Sequence, residues 1–339
     1  VARNHSAKCY GDELDHALIP EIFDLFLHAI QDDESFLYLN AVQGLAQMAM
    51  SWRDAVLRPL MAMYVGGDKT QDGMSHALSY GQELTQRETD QRLRIGEAIL
   101  QVLQHLGEAV VSELDRIVPP LLTAVRNPLF SATLRSSFIS ILGTCVEIAP
   151  TALAADRSSV HMVHMCTELI QATTESRAIR HRSRVRASVQ GVGAGGEVTE
   201  RALDEEDEEE AMWQREATSG TDRDVHRPQL RRAALLLLLM LLRATQEQLD
   251  DYRESCERDL DHIDAPLSAL RLPGGGVLPD VHGRAKPTLP PLLVPVDVLG
   301  SVMPVVTYMA QEEADNVVRV QAQDCIDHIR LVELAYIGL

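Results

Sequence analysis

His161, His164 and Cys166 bring two imidazoles and a thiol into one short stretch, and neutral imidazole with thiolate is a zinc-binding combination. A structural zinc site needs four ligands. Spacings of three and two put these side chains on different faces of a helix, and no fourth ligand accompanies them, so they read as ordinary helix residues and no metal is expected. The segment GVGAGG, Gly191 to Gly196, fits the spacing GxGxxG. That spacing cradles a pyrophosphate only where a strand precedes it and a helix follows. Arginines precede it here and acidic residues follow, so it reads as a linker and no cofactor is expected. Neither a GxSxG elbow nor an HExxH helix occurs in the sequence, and without such a nucleophile or metal motif the chain reads as no enzyme, with no catalytic residue. Two charged clusters remain. Arg180, Arg182, Arg184 and Arg186 form a basic patch after Arg177, and Asp204, Glu205, Glu206, Asp207, Glu208, Glu209 and Glu210 form an acidic run. These are the candidate protein-interaction residues; the basic patch could be a nuclear-localisation or acidic-partner site but reads more readily as a solvated tail, and for the acidic run a solvated loop is at least as good a reading as a basic-surface contact.

Charge narrows the partners. With 31 Lys and Arg against 50 Asp and Glu, the formal net charge is −19, and nucleic-acid phosphates need a cationic surface to displace their counterions. Direct nucleic-acid binding is therefore not expected, and a basic partner fits better. Cys9, Cys145, Cys166, Cys256 and Cys325 lie far apart with no CxxC pair, which gives no disulfide framework and suits a reducing compartment. The sequence starts at Val1 without an initiator Met and shows no basic-then-apolar leader, and residues 1–17 read as an N-terminal extension at a truncation edge, with the chain expected to be the C-terminal part of something longer. The most apolar stretch, Ala233 to Leu242, is flanked by Arg231, Arg232 and Arg243. A membrane span needs about 20 apolar residues, so membrane insertion is not expected and this stretch reads as a buried core helix.

The elements that would position these residues are helices. Aromatics make up only 4% of the chain while 45% is hydrophobic, a composition that suits helix-to-helix packing better than strands. Leu18 to Ile30 reads as a helix begun through Pro20. After an acidic turn, the helix from Ser35 should place Phe36, Leu39, Val42, Ala46 and Ala49 on one buried stripe. Arg53 to Val65 follows, then a polar loop from Gly66 to Arg87. Arg92 to Glu108 aligns Ile95, Ile99, Val102 and Leu106. Glu113 to Val125 reads as the next first helix, kinked at Pro119 and Pro120. Leu134, Phe138, Ile141, Cys145 and Ala149 form the next stripe, and Ser158 to Thr173 begins another pair. Beyond the insertion, helices are expected from Pro228 through the Leu-rich stretch, over Gln246 to Arg271, over Val296 to Ala310 and over Val317 to Leu334. The last aligns Val318, Ala322, Cys325, Ile329 and Val332.

These helices pair into a degenerate repeat. An acidic or Asn turn, a basic residue and a small or apolar residue recur as Asp315, Arg319, Ala322, as Asn127, Arg135, Phe138 and as Asp224, Arg231, Ala234, with Arg94 in an earlier copy. The arrangement resembles the HEAT repeat, whose period is about 40 to 47 residues. The expected fold is all-α, an α-solenoid of HEAT or armadillo-like helix pairs with two long inserted loops. Its parts would be helix pairs over 18–174, a disordered Arg-rich then acidic insertion over 175–227, a continuation over 228–271, a Pro/Gly-rich loop over 272–295 and a final pair over 296–339.

The segments DDESFLYLNAVQGLAQMA, RLRIGEAILQVLQHLGE, RRAALLLLLMLLR and DNVVRVQAQDCIDHI together resemble the C-terminal domain of the RNA polymerase II assembly factor family, whose animal members are called transport and Golgi organisation protein six. The resemblance covers most of Leu18 to Leu334 and is most specific in the first two segments. The insertion over 175–227 and the Pro-rich loop have no counterpart in it. It implies a non-catalytic scaffold whose partners are RNA polymerase II subunits or transport and assembly factors. The implied location is cytoplasmic, with shuttling to the nucleus. For the animal branch it implies instead a membrane-associated factor in protein secretion and Golgi organisation.

Overall fold

The computed structural model describes residues 12–32, 34–66, 84–171, 227–261 and 289–338. Among these, all regular structure is helical: α1 Asp12–Ile30, α2 Ser35–Ser51, α3 Arg53–Val65, α4 Gln86–Leu106, a 3-10 turn Gly107–Glu113, α5 Leu114–Arg126, α6 Ala132–Ile148 and the short α7 Pro150–Ala155. Residues 158–171 form α8. Then come α9 Arg227–Asp261, α10 Val296–Glu312 and α11 Asn316–Ile337. The chain is thus all-α over the described residues. Both expected insertions fall largely outside them.

Local chemistry explains most boundaries. Thr85 opens α4 with a capping box, its side chain accepting from the Glu88 N–H while the Glu88 carboxylate accepts from the Thr85 N–H, which satisfies two orphan donors of the first turn. Ser131 caps α6 through the Leu134 N–H, and Asp315 caps α11 through the Val317 and Val318 N–H groups at 2.9 and 3.2 Å. Gly66 closes α3 in the left-handed conformation, where a Cβ would be strained.

Packing runs in chain order. Sequence neighbours pair as α1 with α2, α3 with α4, α5 with α6, and α10 with α11. The second helices also form a row in which α2 packs on α4, α4 on α6, α6 on α9 and α9 on α11. The first helices make a second set of contacts, α1 with α3 and α3 with α5. One apolar cluster, from Ile19 to Val332, fills the space between the sets.

Two features recur from pair to pair. In α2, a Cβ at Gly44 would collide with the ring of Phe26 from α1, and in α4 a Cβ at Gly96 would lie 2.7 Å from Tyr64 of α3. In these two pairs the second helix therefore uses a glycine to admit an aromatic ring of its partner. Tyr64 is fully buried, stacks edge-on with Phe138 at 4.7 Å and shares a 2.6 Å hydrogen bond with the Ser137 hydroxyl of α6. The second feature is an arginine that satisfies a first-helix C-terminus. Arg92 of α4 donates to the Tyr64 carbonyl at 3.2 Å, and Arg135 of α6 donates to the Val125 carbonyl at 2.6 Å. Those carbonyls lie in the last turns of α3 and α5, where the helix dipole favours a cation.

Several expectations are corrected. α1 begins at Asp12, so Pro20 sits inside the helix and not in its first turn. The stripe expected on α2 is rotated: Val42, Ala46 and Ala49 are buried with Ala41, Leu45 and Met48, but Phe36 and Leu39 are 69% and 55% exposed. α2 is apolar on nearly every side, so periodicity alone could not choose the buried face. The stretch from Pro228 through the Leu-rich segment and the first part of the helix expected over Gln246 to Arg271 form one helix, α9 Arg227–Asp261, and residues 262–271 lie outside the described residues. Arg92, not Arg94, is the counterpart of Arg135; Arg94 instead donates to the Asp32 carbonyl of the preceding turn at 2.8 Å. Arg319 reaches only Asn316 at the start of its own helix.

Other expectations match. Ile95, Ile99, Val102 and Leu106 are buried, as are Leu134, Phe138, Ile141, Cys145 and Ala149, and Val318, Ala322, Cys325, Ile329 and Val332. Seven residues of the Leu-rich stretch (Ala234, Leu235, Leu237, Leu238, Leu239, Leu241 and Leu242) are core residues. α9 is held against the last pair by a buried ion pair between Arg231 and Glu313 and a more exposed one between Arg232 and Asp315. The segment before α10 is anchored to α9: the Leu293 N–H donates to the Gln248 side chain at 2.9 Å and the Val294 N–H to the Thr245 hydroxyl at 3.1 Å.

Candidate interaction surface

α3 has more apolar positions than one core face requires. Val56, Leu60 and Tyr64 are buried, and so are Leu57 and Met61, which with the half-buried Val65 stand on an adjacent face. α5 contributes Ile117 and Pro120 opposite them. Between the two helices lies a groove of about 390 Å³ lined by these residues and Ala62, with Asp54, Arg58, Glu113 and Arg116 also on its walls. Pro120 has no N–H, so the Arg116 carbonyl receives no helical hydrogen bond from that position.

The polar end of the groove is a network. Arg116 is held by both Asp54 and Glu113, the latter at 3.3 Å. Arg53 donates to the Ser112 hydroxyl at 2.9 Å, and that hydroxyl donates to the Glu113 carboxylate at 3.3 Å. Asp54 and Arg58 stand four residues apart on one helix face, a spacing at which they could pair. Arg116 takes the Asp54 carboxylate instead. Among the described residues, Arg58 forms no ion pair.

A second exposed surface belongs to α2, which contains no charged residue. Its exposed side presents Phe36, Leu39, Gln43, Gln47 and Met50. The corresponding side of α4 carries Asp90, Glu97, Gln101 and Gln104.

The candidates read from the sequence fall as follows. Arg180, Arg182, Arg184, Arg186 and the acidic run Asp204 to Glu210 lie outside the described residues, as does Gly191 to Gly196. His161 and His164 are exposed on α8 while Cys166 is fully buried, so the three do not share a face. Burial, reinforced by the neighbouring Cys325, drives the Cys166 thiol far above its ordinary range. Burial likewise pushes Cys145 and Cys325 up to about 12. Among the described residues, no three His, Cys, Asp or Glu side chains are grouped to hold a metal ion. The sequence reading missed the groove. The available signal was the doubled apolar stripe of α3, but its opposite wall comes from α5, which periodicity in α3 cannot identify.

These observations define an all-helical protein whose helices pack in chain order and leave a lined groove on the first-helix side. Residues 2–109 match the sequence family described as required for nuclear transport of RNA pol II, C-terminus 1. No solved structure matches the chain.

Proposed function

We propose that this chain is a non-catalytic scaffold, a HEAT-like α-solenoid that holds RNA polymerase II subunits or their transport and assembly factors during polymerase assembly and nuclear import. The family match over residues 2–109 carries the reading. The packing supports it: a row of second helices contacted in succession, backed by first helices, is how a solenoid buries one core along its length and keeps long faces for partners. The recurring glycine-aromatic and arginine-carbonyl contacts are the repeat units of that array. In this reading the protein works from the cytoplasm and accompanies its cargo toward the nucleus.

The membrane-associated reading gains no support. Among the described residues no helix is long and apolar enough to cross a membrane, and the Leu-rich stretch packs against α6 and α11. Depletion of the protein from cells, followed by imaging of the largest polymerase II subunit, tests the proposal. Cytoplasmic accumulation of that subunit, reversed by re-expression, is expected; an unchanged nuclear distribution contradicts it.

A further inference from the structure

We propose that the exposed side of α2 docks an apolar segment of a partner protein flanked by Lys or Arg. Phe36, Leu39 and Met50 take its apolar anchors, and the surrounding carboxylates take its cations. This rests on the protein-binding reading above but not on the identity of the polymerase partner.

The apolar part is open surface. Phe36, Leu39 and Met50 are 69%, 55% and 52% exposed, and with Gln43 they stand at i, i+3, i+14 and i+7, one face of a helix. From Phe36 to Met50 that face runs about 21 Å at 1.5 Å per residue. The buried side of the same helix carries Val42, Leu45, Ala46 and Ala49, so the three exposed side chains are surplus to the core. Single exposed apolar residues are ordinary on a protein surface, whereas a row of them on one charge-free helix marks an interaction site.

Charge selects the occupant. Between Asp12 and Trp52 the chain has eight Asp and Glu and no Lys or Arg; all 31 Lys and Arg lie elsewhere. At the start of α2, Glu34 is exposed and its side chain makes no capping hydrogen bond. At the side, Glu97 of α4 lies beside Tyr38 of α2. Arg94 of α4 reaches the same edge but is turned to the Asp32 carbonyl at 2.8 Å, so the balance at this face stays negative. A cationic flank gains from that field, while an acidic segment or an anionic lipid surface is repelled by it. Twofold pairing of this face with that of a second copy would bring carboxylates toward carboxylates and is disfavoured by the same repulsion.

The test uses the full chain and labelled synthetic peptides with Leu at i, i+4 and i+7 in an Ala and Gln background, flanked by Lys, Gln or Glu. Binding is read by fluorescence anisotropy. The Lys peptide is expected to bind about tenfold or more tightly than the Glu peptide, a preference that shrinks as salt is added. Replacing its Leu residues by Gln should weaken it by about tenfold or more, and so should Phe36→Ser combined with Leu39→Ser in the protein. Glu34→Lys combined with Glu97→Lys should remove the preference for Lys over Glu. Thermal unfolding of both variants establishes that they fold. Equal binding of the Lys and Glu peptides, absence of binding, or binding indifferent to the Phe36 and Leu39 substitutions overturns the proposal. Self-association of the unliganded chain that those substitutions abolish also overturns it, by assigning the face to a second copy. A peptide of residues 177–186 that outcompetes the Lys peptide overturns it by assigning the face to the chain's own arginine run. If the peptides behave as expected while depletion leaves the largest polymerase II subunit nuclear, only the polymerase reading fails.

Discussion

At Gly44 and Gly96 the space between paired helices is set by a missing methyl group. Gly44→Ala drives a Cβ into the Phe26 ring and Gly96→Ala into Tyr64. Each is expected to destabilise the protein by about 1–3 kcal/mol through overpacking, measured by urea unfolding, and a smaller residue at 26 should rescue Gly44→Ala. Arg231 and Glu313 are only 6% and 3% exposed at their side chains. Removing one partner leaves a buried charge uncompensated, so Glu313→Gln is expected to cost about 3–5 kcal/mol by the same assay. The glycines were present in the sequence without their meaning, since only the rings of α1 and α3 show why they are small. Arg231 was legible as a pattern residue. Its partner was not, because Glu313 lies 82 positions away and no local spacing joins them. Burial also dictates thiol chemistry. With Cys145 and Cys325 pushed up to about 12 and Cys166 higher, their thiolate populations at pH 8 are negligible. Iodoacetamide followed by peptide mass spectrometry should find the half-buried Cys256 alkylated well before these three, all of which react once the protein is unfolded. Rapid labelling of Cys166 in the native protein would contradict the packing of α8.

Helix starts and helix ends show where local sequence sufficed. The Thr85 box and the Asp315 cap follow from side chains within three residues of the groups they satisfy; the Thr85 box was missed, since the polar loop expected to Arg87 hid a helix that starts at Gln86, whereas the last helix was readable from Asp315. The bounds of α9 were not, because a charged stretch following a Leu-rich one imitates a boundary that the unbroken backbone does not have. Pro119 and Pro120 stand inside α5 as the sequence suggested, Pro119 exposed and Pro120 facing the groove. Asp315 supplies an element-scale test. Its hydrogen bond to Arg232, then those from the Val318 and Val317 N–H groups, hold its carboxyl below the ordinary value of 3.8. A folded-state pKa below the unfolded one gives stability that is complete above the unfolded value and is lost as pH falls through the folded one. Asp315→Ala should therefore lower stability at pH 7 and flatten the acid side of the stability curve below about pH 4, followed by denaturant unfolding at each pH. An acid limb identical to that of the wild type would contradict the role of this carboxylate in joining α9 to α11.

For the whole molecule, helical class and most of the core stripes were legible because each helix carries its own periodicity. The order in which helices touch was inferred from repeats, and the arginine copies were partly misaligned because Arg92 and Arg94 stand two positions apart on one helix. The groove was illegible for a further reason: its walls come from α3 and α5, separated in sequence by α4 and the 3-10 turn. The proposed scaffold role is defined by what the chain would hold. Affinity purification of the tagged chain from native extract, with quantitative mass spectrometry of what accompanies it, addresses that point directly. Enrichment of RNA polymerase II subunits over an untagged control is the result predicted. Recovery of the folded protein with no polymerase II subunit enriched would contradict the account.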